Sequence, residues 1–92
     1  MTVATITTPK LPEGVRLRWD GVRDRHVLLY PEGAISLNPT AVSVLELCDG
    51  ERTVDDIANE LSAKYNGADI RTDVENLVEA IAARGLIVDA NS

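Results

Sequence analysis

Cysteine and aromatic residues are nearly missing from this 92-residue chain, which has one Cys, one His, one Trp, two Tyr and no Phe. A lone cysteine excludes an intramolecular disulfide framework and fits a reducing compartment. One His and one Cys cannot supply the usual zinc ligand sets, so no metal site is expected. With so few rings, the core must be built from Val, Leu, Ile and Ala. No apolar run approaches the roughly 20 residues that span a bilayer. Residues 1–10 lack the basic start and apolar centre of a signal peptide, so a cytoplasmic protein without membrane contact is expected. No glycine-rich phosphate loop is present, because the six Gly all fall where turns or helix stops are wanted.

Catalytic constellations are missing as well. His26 stands beside Val27 and Leu28 in a strand pattern, where a packing or surface role suits it. Cys48 ends an apolar helical stretch with no base suggested nearby, and reads as a small buried hydrophobe. The carboxylates of the second half are spaced as solvent-facing residues. The sequence therefore points away from an enzyme, with no catalytic residue and no cofactor.

Positive charge is also scarce. Nine Lys and Arg face fifteen Asp and Glu, a net charge of −6. Residues 1–50 carry −1 of this and residues 51–92 carry −5. A polyanion such as nucleic acid would be repelled by that second half. The one basic concentration, Arg16, Arg18, Arg23 and Arg25, is relieved by Asp20 and Asp24. It reads either as a solvated hairpin face or as a docking patch for an acidic partner.

The chain supports one small domain. Residues 1–12 are Thr- and Pro-containing without period and read as a flexible N-terminal arm; residues 13–88 form the domain and 89–92 a tail. Val15–Trp19 alternates apolar and polar, the pattern of a half-buried strand. Asp20-Gly21 opens a loop, and His26–Tyr30 returns as a second strand. Pro31-Glu32-Gly33 predicts a tight hairpin, with Pro presetting one turn position and Gly accepting a positive φ. Ala34–Leu37 completes a three-stranded meander.

Asn38-Pro39 then starts a buried helix that Asp49-Gly50 ends, with Asn at the cap and Pro at the first helical position. Thr53 caps a second helix with Asp55 and Asp56 in its first turn, closed by Asn66-Gly67. A third helix covers about Ile70–Arg84, stopped by Gly85. Leu86-Ile87-Val88 is a candidate terminal strand. The order predicts an α+β fold, a three-stranded antiparallel sheet followed by a three-helix bundle, with the helices covering one sheet face.

Ala34–Leu37 carries no charge, whereas outer strands are usually guarded by Lys, Pro or a bulge. An unguarded edge invites an extended peptide to add as a further strand. The short link between the last two helices also resembles a helix-turn-helix. The last helix, however, sets Arg71 and Arg84 against Asp73, Glu75 and Glu79, which is the wrong sign for a DNA groove.

Four stretches together resemble the PqqD family of pyrroloquinoline quinone (PQQ) biosynthesis. They are Leu11–Asp20 (LPEGVRLRWD), Arg25–Gly33 (RHVLLYPEG), Leu47–Val54 (LCDGERTV) and Arg84–Ile87 (RGLI). The resemblance covers about residues 11–88. It implies a winged-helix-like fold and a peptide chaperone that binds the ribosomally made precursor PqqA and presents it to the radical-SAM enzyme PqqE. It further implies a groove between the third strand and the third helix. Carried over, the strand side is Ala34, Ile35, Ser36 and Leu37. The helix side is Val74, Leu77, Val78 and Ile81, with Arg71 and Asp73 pairing charges on the peptide. The same apolar residues form the helix stripe that would bury it against the core. The Arg16, Arg18, Arg23 and Arg25 hairpin is the expected enzyme-docking face. Two other readings stay open: a winged-helix DNA-binding regulator, and a self-associating structural domain that forms a homodimer through its open strand or its arm.

Overall fold

Alternation and capping account for most of the elements in the computed structural model, which describes residues 6–67 and 70–90. In chain order these are β1 (Pro9–Lys10), β2 (Arg16–Asp20), β3 (Arg25–Tyr30), β4 (Gly33–Ser36), α1 (Pro39–Glu46), α2 (Val54–Lys64), α3 (Arg71–Ala82) and β5 (Val88–Asp89). Strands β2, β3 and β4 form one antiparallel sheet in that order. The fold is α+β, with this sheet leading into three helices.

Side chains alternate across the sheet, so the pairing defines two faces. The row Leu17–Leu28–Ile35 faces inward: Leu28 is fully buried, and Leu17 and Ile35 pack against the same cluster. The rows Arg18–Val27–Ser36 and Arg16–Leu29–Ala34 lie on the opposite face. The core cluster joins Leu28 to Val44, Leu45 and Cys48 of the α1 region, Ile57, Ala58 and Leu61 of α2, and Val74, Val78 and Ile81 of α3. Leu86 and Ile87 complete it.

The caps follow the sequence signals. Asn38 accepts the Ala41 N–H at 2.7 Å, and Pro39 opens α1. Thr53 and Asp56 exchange a reciprocal capping box, Asp56 N–H to Thr53 Oγ1 at 3.0 Å and Thr53 N–H to Asp56 Oδ2 at 3.1 Å. Helix α3 ends in a Schellman motif: Leu86 N–H donates to Ile81 C=O, Gly85 N–H to Ala82 C=O, and Gly85 takes φ +77°.

Three local readings differ. Helix α1 stops at Glu46, before Asp49-Gly50. Asp49 caps the next turn instead, accepting the Glu51 and Arg52 N–H groups, which together with the Arg52 charge hold its carboxyl below the usual range. Gly33 does not use a positive φ; the hairpin closes through Pro31-Glu32, and Gly33 pairs with Tyr30 as the first strand residue. The terminal strand is Val88–Asp89 rather than Leu86–Val88, with Leu86 and Ile87 in the core, and it pairs with β1.

That last pairing corrects the reading of a loose arm. Residues 1–5 lie outside the described residues, but residues 6–10 are docked on the domain. Thr8 is buried, Ile6 packs on the core, and Asp89 accepts the Thr7 and Thr8 N–H groups. Carbonyls of Thr7, Thr8 and Pro9 receive N–H groups from Val54, Ala90 and Gly50 at 2.8–3.0 Å. A sequence without period gives no local sign of such long-range bonds. Of the expected tail, Asp89 belongs to β5, Ala90 joins this network, and residues 91–92 lie outside the description.

Candidate functional site

Strand β4 borders the three-stranded sheet, with β3 on one side and no strand on the other among the described residues. Which backbone groups face the open side follows from the ladder. Leu37 N–H donates to His26 C=O at 3.0 Å. Antiparallel hydrogen-bonded pairs alternate, so Gly33, Ile35 and Leu37 direct their N–H and C=O toward β3. Ala34 and Ser36 direct theirs outward, and both residues are exposed. The edge therefore offers two N–H donors and two C=O acceptors, with no Lys or Pro among its residues to block them.

The chain leaves this edge through Asn38 into α1, and there it meets the flank of α3. A recess of about 310 Å³ is lined by Asn38, Thr40 and Ala41 on one wall and by Asp73, Asn76 and Leu77 on the other. Residues 73, 76 and 77 share a helix face through their i, i+3, i+4 spacing. The recess thus combines an apolar patch (Ala41, Leu77) with amide and hydroxyl groups and one carboxylate.

The ten residues singled out from sequence separate into distinct places. Ala34 and Ser36 hold the open edge, and Asp73 and Leu77 line the recess beside it. Ile35 and Leu37 are half-buried against the core. Val74, Val78 and Ile81 are core residues at 0%, 1% and 6% exposure. Arg71 lies on the far flank of α3, paired with Asp55 of α2 and with Glu75 at 3.6 Å. That flank borders a second cavity of about 250 Å³, whose lining includes Ile6, Val54, Asp55, Arg71 and Glu79. Asn38, Thr40 and Asn76, polar residues that a search for apolar stripes passes over, share the recess with Asp73 and Leu77. The spacing of Asp73, Asn76 and Leu77 was the available signal.

The basic hairpin is exposed at Arg16, Arg18, Arg23 and Arg25. Arg23 contacts Asp20 at 3.9 Å in the turn, where Asp20 also accepts the Val22 and Arg23 N–H groups. Trp19 is 55% exposed and meets His26 edge-on, ring centroids 5.0 Å apart. Cys48 is buried, its thiol donating to Val44 C=O at 3.3 Å, and burial followed by the Asp49 charge pushes its pKa up to about 12. Among the described residues no cluster of three or more His, Cys, Asp or Glu is placed to hold a metal. No helix is long and apolar enough to cross a membrane.

An α+β domain with an open sheet edge running into a helix-walled recess belongs to the class of binding modules. Comparison with known proteins then gives the family. Residues 25–87 match the family model described as coenzyme PQQ synthesis protein D (PqqD). A relative from Methylococcus capsulatus, named PqqA binding protein, is 38% identical over 87 residues, covering 95% of this chain and 94% of the relative. Two solved structures share the fold. One is the PqqD part of Methylobacterium extorquens PqqCD, presented as a functional, stand-alone recognition element for ribosomally synthesised and post-translationally modified peptides. It matches with TM-score 0.75 and 41% identity, over 87% of each chain. The other is PqqD from Xanthomonas campestris, with TM-score 0.57 and 34% identity over 92% of this chain and 97% of that one. The chain belongs to the PqqD family, which consists of recognition proteins rather than enzymes.

Proposed function

We propose that this chain binds the precursor peptide PqqA as an added strand on β4 and presents it to the radical-SAM enzyme PqqE in the cytoplasm. The observation that carries the reading is the uncharged open edge, with the outward backbone groups of Ala34 and Ser36 leading into the recess at Asp73 and Leu77. The relative's name, PqqA binding protein, supports the same peptide.

The energetics divide the work. Four backbone hydrogen bonds at about 0.5–1.5 kcal/mol each give roughly 2–6 kcal/mol. Micromolar affinity needs about 8 kcal/mol after association costs. Apolar side chains of the peptide must therefore enter the recess, at about 25 cal/mol per Å² buried. Leu77 and the half-buried Ile35 and Leu37 are the proposed contacts, with Asp73 facing a cationic or hydrogen-bonding group. Val74, Val78 and Ile81 support that wall from the core side, and Arg71 holds α3 to α2. The basic hairpin is the proposed meeting place with the enzyme. Homodimerisation through the same edge would compete with the peptide.

The test is a ¹H–¹⁵N NMR titration with PqqA. Saturable shifts at residues 33–38 and at Asp73, Asn76 and Leu77 are expected. Absence of shifts at high peptide excess would overturn the reading.

A further inference from the structure

The sheet register sorts the hairpin arginines in a way their spacing in sequence does not reveal. Arg16, Arg18 and Arg25 occupy the face opposite Leu28, in rows with Leu29 and Ala34, with Val27 and Ser36, and with Asp20. All three arginines are exposed, and none pairs with a carboxylate among the described residues. Arg52 and Arg71, by contrast, are tied into ion pairs with Asp49, Glu60, Asp55 and Glu75. In a chain of net charge −6, these three guanidinium groups outnumber the one carboxylate in their rows, Asp20 opposite Arg25, and leave one sheet face locally positive.

A strand added to β4 continues this sheet. Alternate side chains of that strand fall on the face of Ala34 and Ser36, which is also the face of Arg16, Arg18 and Arg25. With strands about 4.8 Å apart, the arginine rows of β2 lie roughly 14 Å from the added strand. A standard interface covers about 800 Å² per partner, a patch on the order of 28 Å across, so one partner spans both.

We infer that this face is a composite docking surface for an acidic protein surface, which contacts Arg16, Arg18 and Arg25 together with the outward side chains of the bound peptide. The inference rests on strand addition at β4, as proposed above. It adds that peptide and partner bind with positive, reciprocal coupling, because the peptide completes the partner's footprint. Arg23, engaged with Asp20 in the turn, stands outside the surface.

The test uses the full chain, PqqA and PqqE, with binding measured by calorimetry or interferometry. The double reversal Arg16→Glu/Arg18→Glu is compared with the remote reversal Arg84→Glu. Peptide affinity should stay within about twofold in both, which also shows that the double variant is folded. Affinity for the enzyme should drop about tenfold or more in the double variant only, and fall with added salt. In the unaltered chain, saturating peptide should raise enzyme affinity. Enzyme affinity indifferent to the reversal or to peptide would overturn the inference, as would arginine-dependent binding of duplex DNA without binding of enzyme. Failure of the peptide to bind the unaltered chain would instead overturn the strand-addition reading itself.

Discussion

Ser36 and Ile35 are neighbours with opposite duties. The Ile35 backbone bonds β3, whereas the Ser36 N–H points to the open side, as fixed by the Leu37-to-His26 bond. Ser36→Pro should therefore leave the fold intact and weaken PqqA binding by about tenfold or more, whereas Ile35→Pro should unfold β4. Circular dichroism beside a binding isotherm separates the two. Cys48 makes a second residue-scale case. With its pKa pushed from the usual 9.0 up to about 12, the folded thiol stays almost wholly protonated at pH 8. Alkylation followed by mass spectrometry should be negligible until denaturant is added. The shift has a stability consequence too. The unfolded thiol loses its proton from about pH 9, while the folded one keeps it. Stability from this group should thus be complete below pH 9 and decline as pH rises toward 12.

At the scale of elements, α2 shows how local chemistry sets a boundary. Thr53 and Asp56 satisfy each other's backbone donors, and Asp55 adds negative charge at the positive end of the helix. Thr53→Ala should cost about 0.5–2 kcal/mol, read as a lowered urea midpoint with an unchanged slope. Helix α3 shows the limit of such reading. Its apolar stripe is legible in the sequence, but a stripe does not say whether it meets a core or a ligand. The structure sends Val74, Val78 and Ile81 inward, turns Asp73, Asn76 and Leu77 toward the recess, and gives Arg71 to Asp55. These are three faces of one helix, divided by what packs beside them.

For the molecule as a whole, the docked arm matters most. Removing residues 1–10 deletes β1, the buried Thr8 and backbone bonds that reach Gly50, Val54 and Ala90. The shortened chain should melt at least about 4–8 °C lower, since each 1 kcal/mol shifts a domain of this size by that much. A scanning calorimetry trace unchanged by the truncation would mean that the arm contributes nothing to stability.

By itself the sequence determined what depends on near neighbours. Alternation made β2, an apolar run made β3, Pro31-Glu32 closed its hairpin with β4, Asn38-Pro39 and Thr53 began helices, and Gly85 ended one. Each is settled by free energies acting within a few residues, so each is written where it acts. Only the tertiary structure decided that β5 pairs with the arm, that Val74, Val78 and Ile81 go to the core while Asp73 and Leu77 go to the recess, and that Arg16, Arg18 and Arg25 share a face with Ala34 and Ser36. Those outcomes depend on surfaces far apart in the chain finding each other against the entropy of closing the loops between them. No short stretch of sequence carries that information.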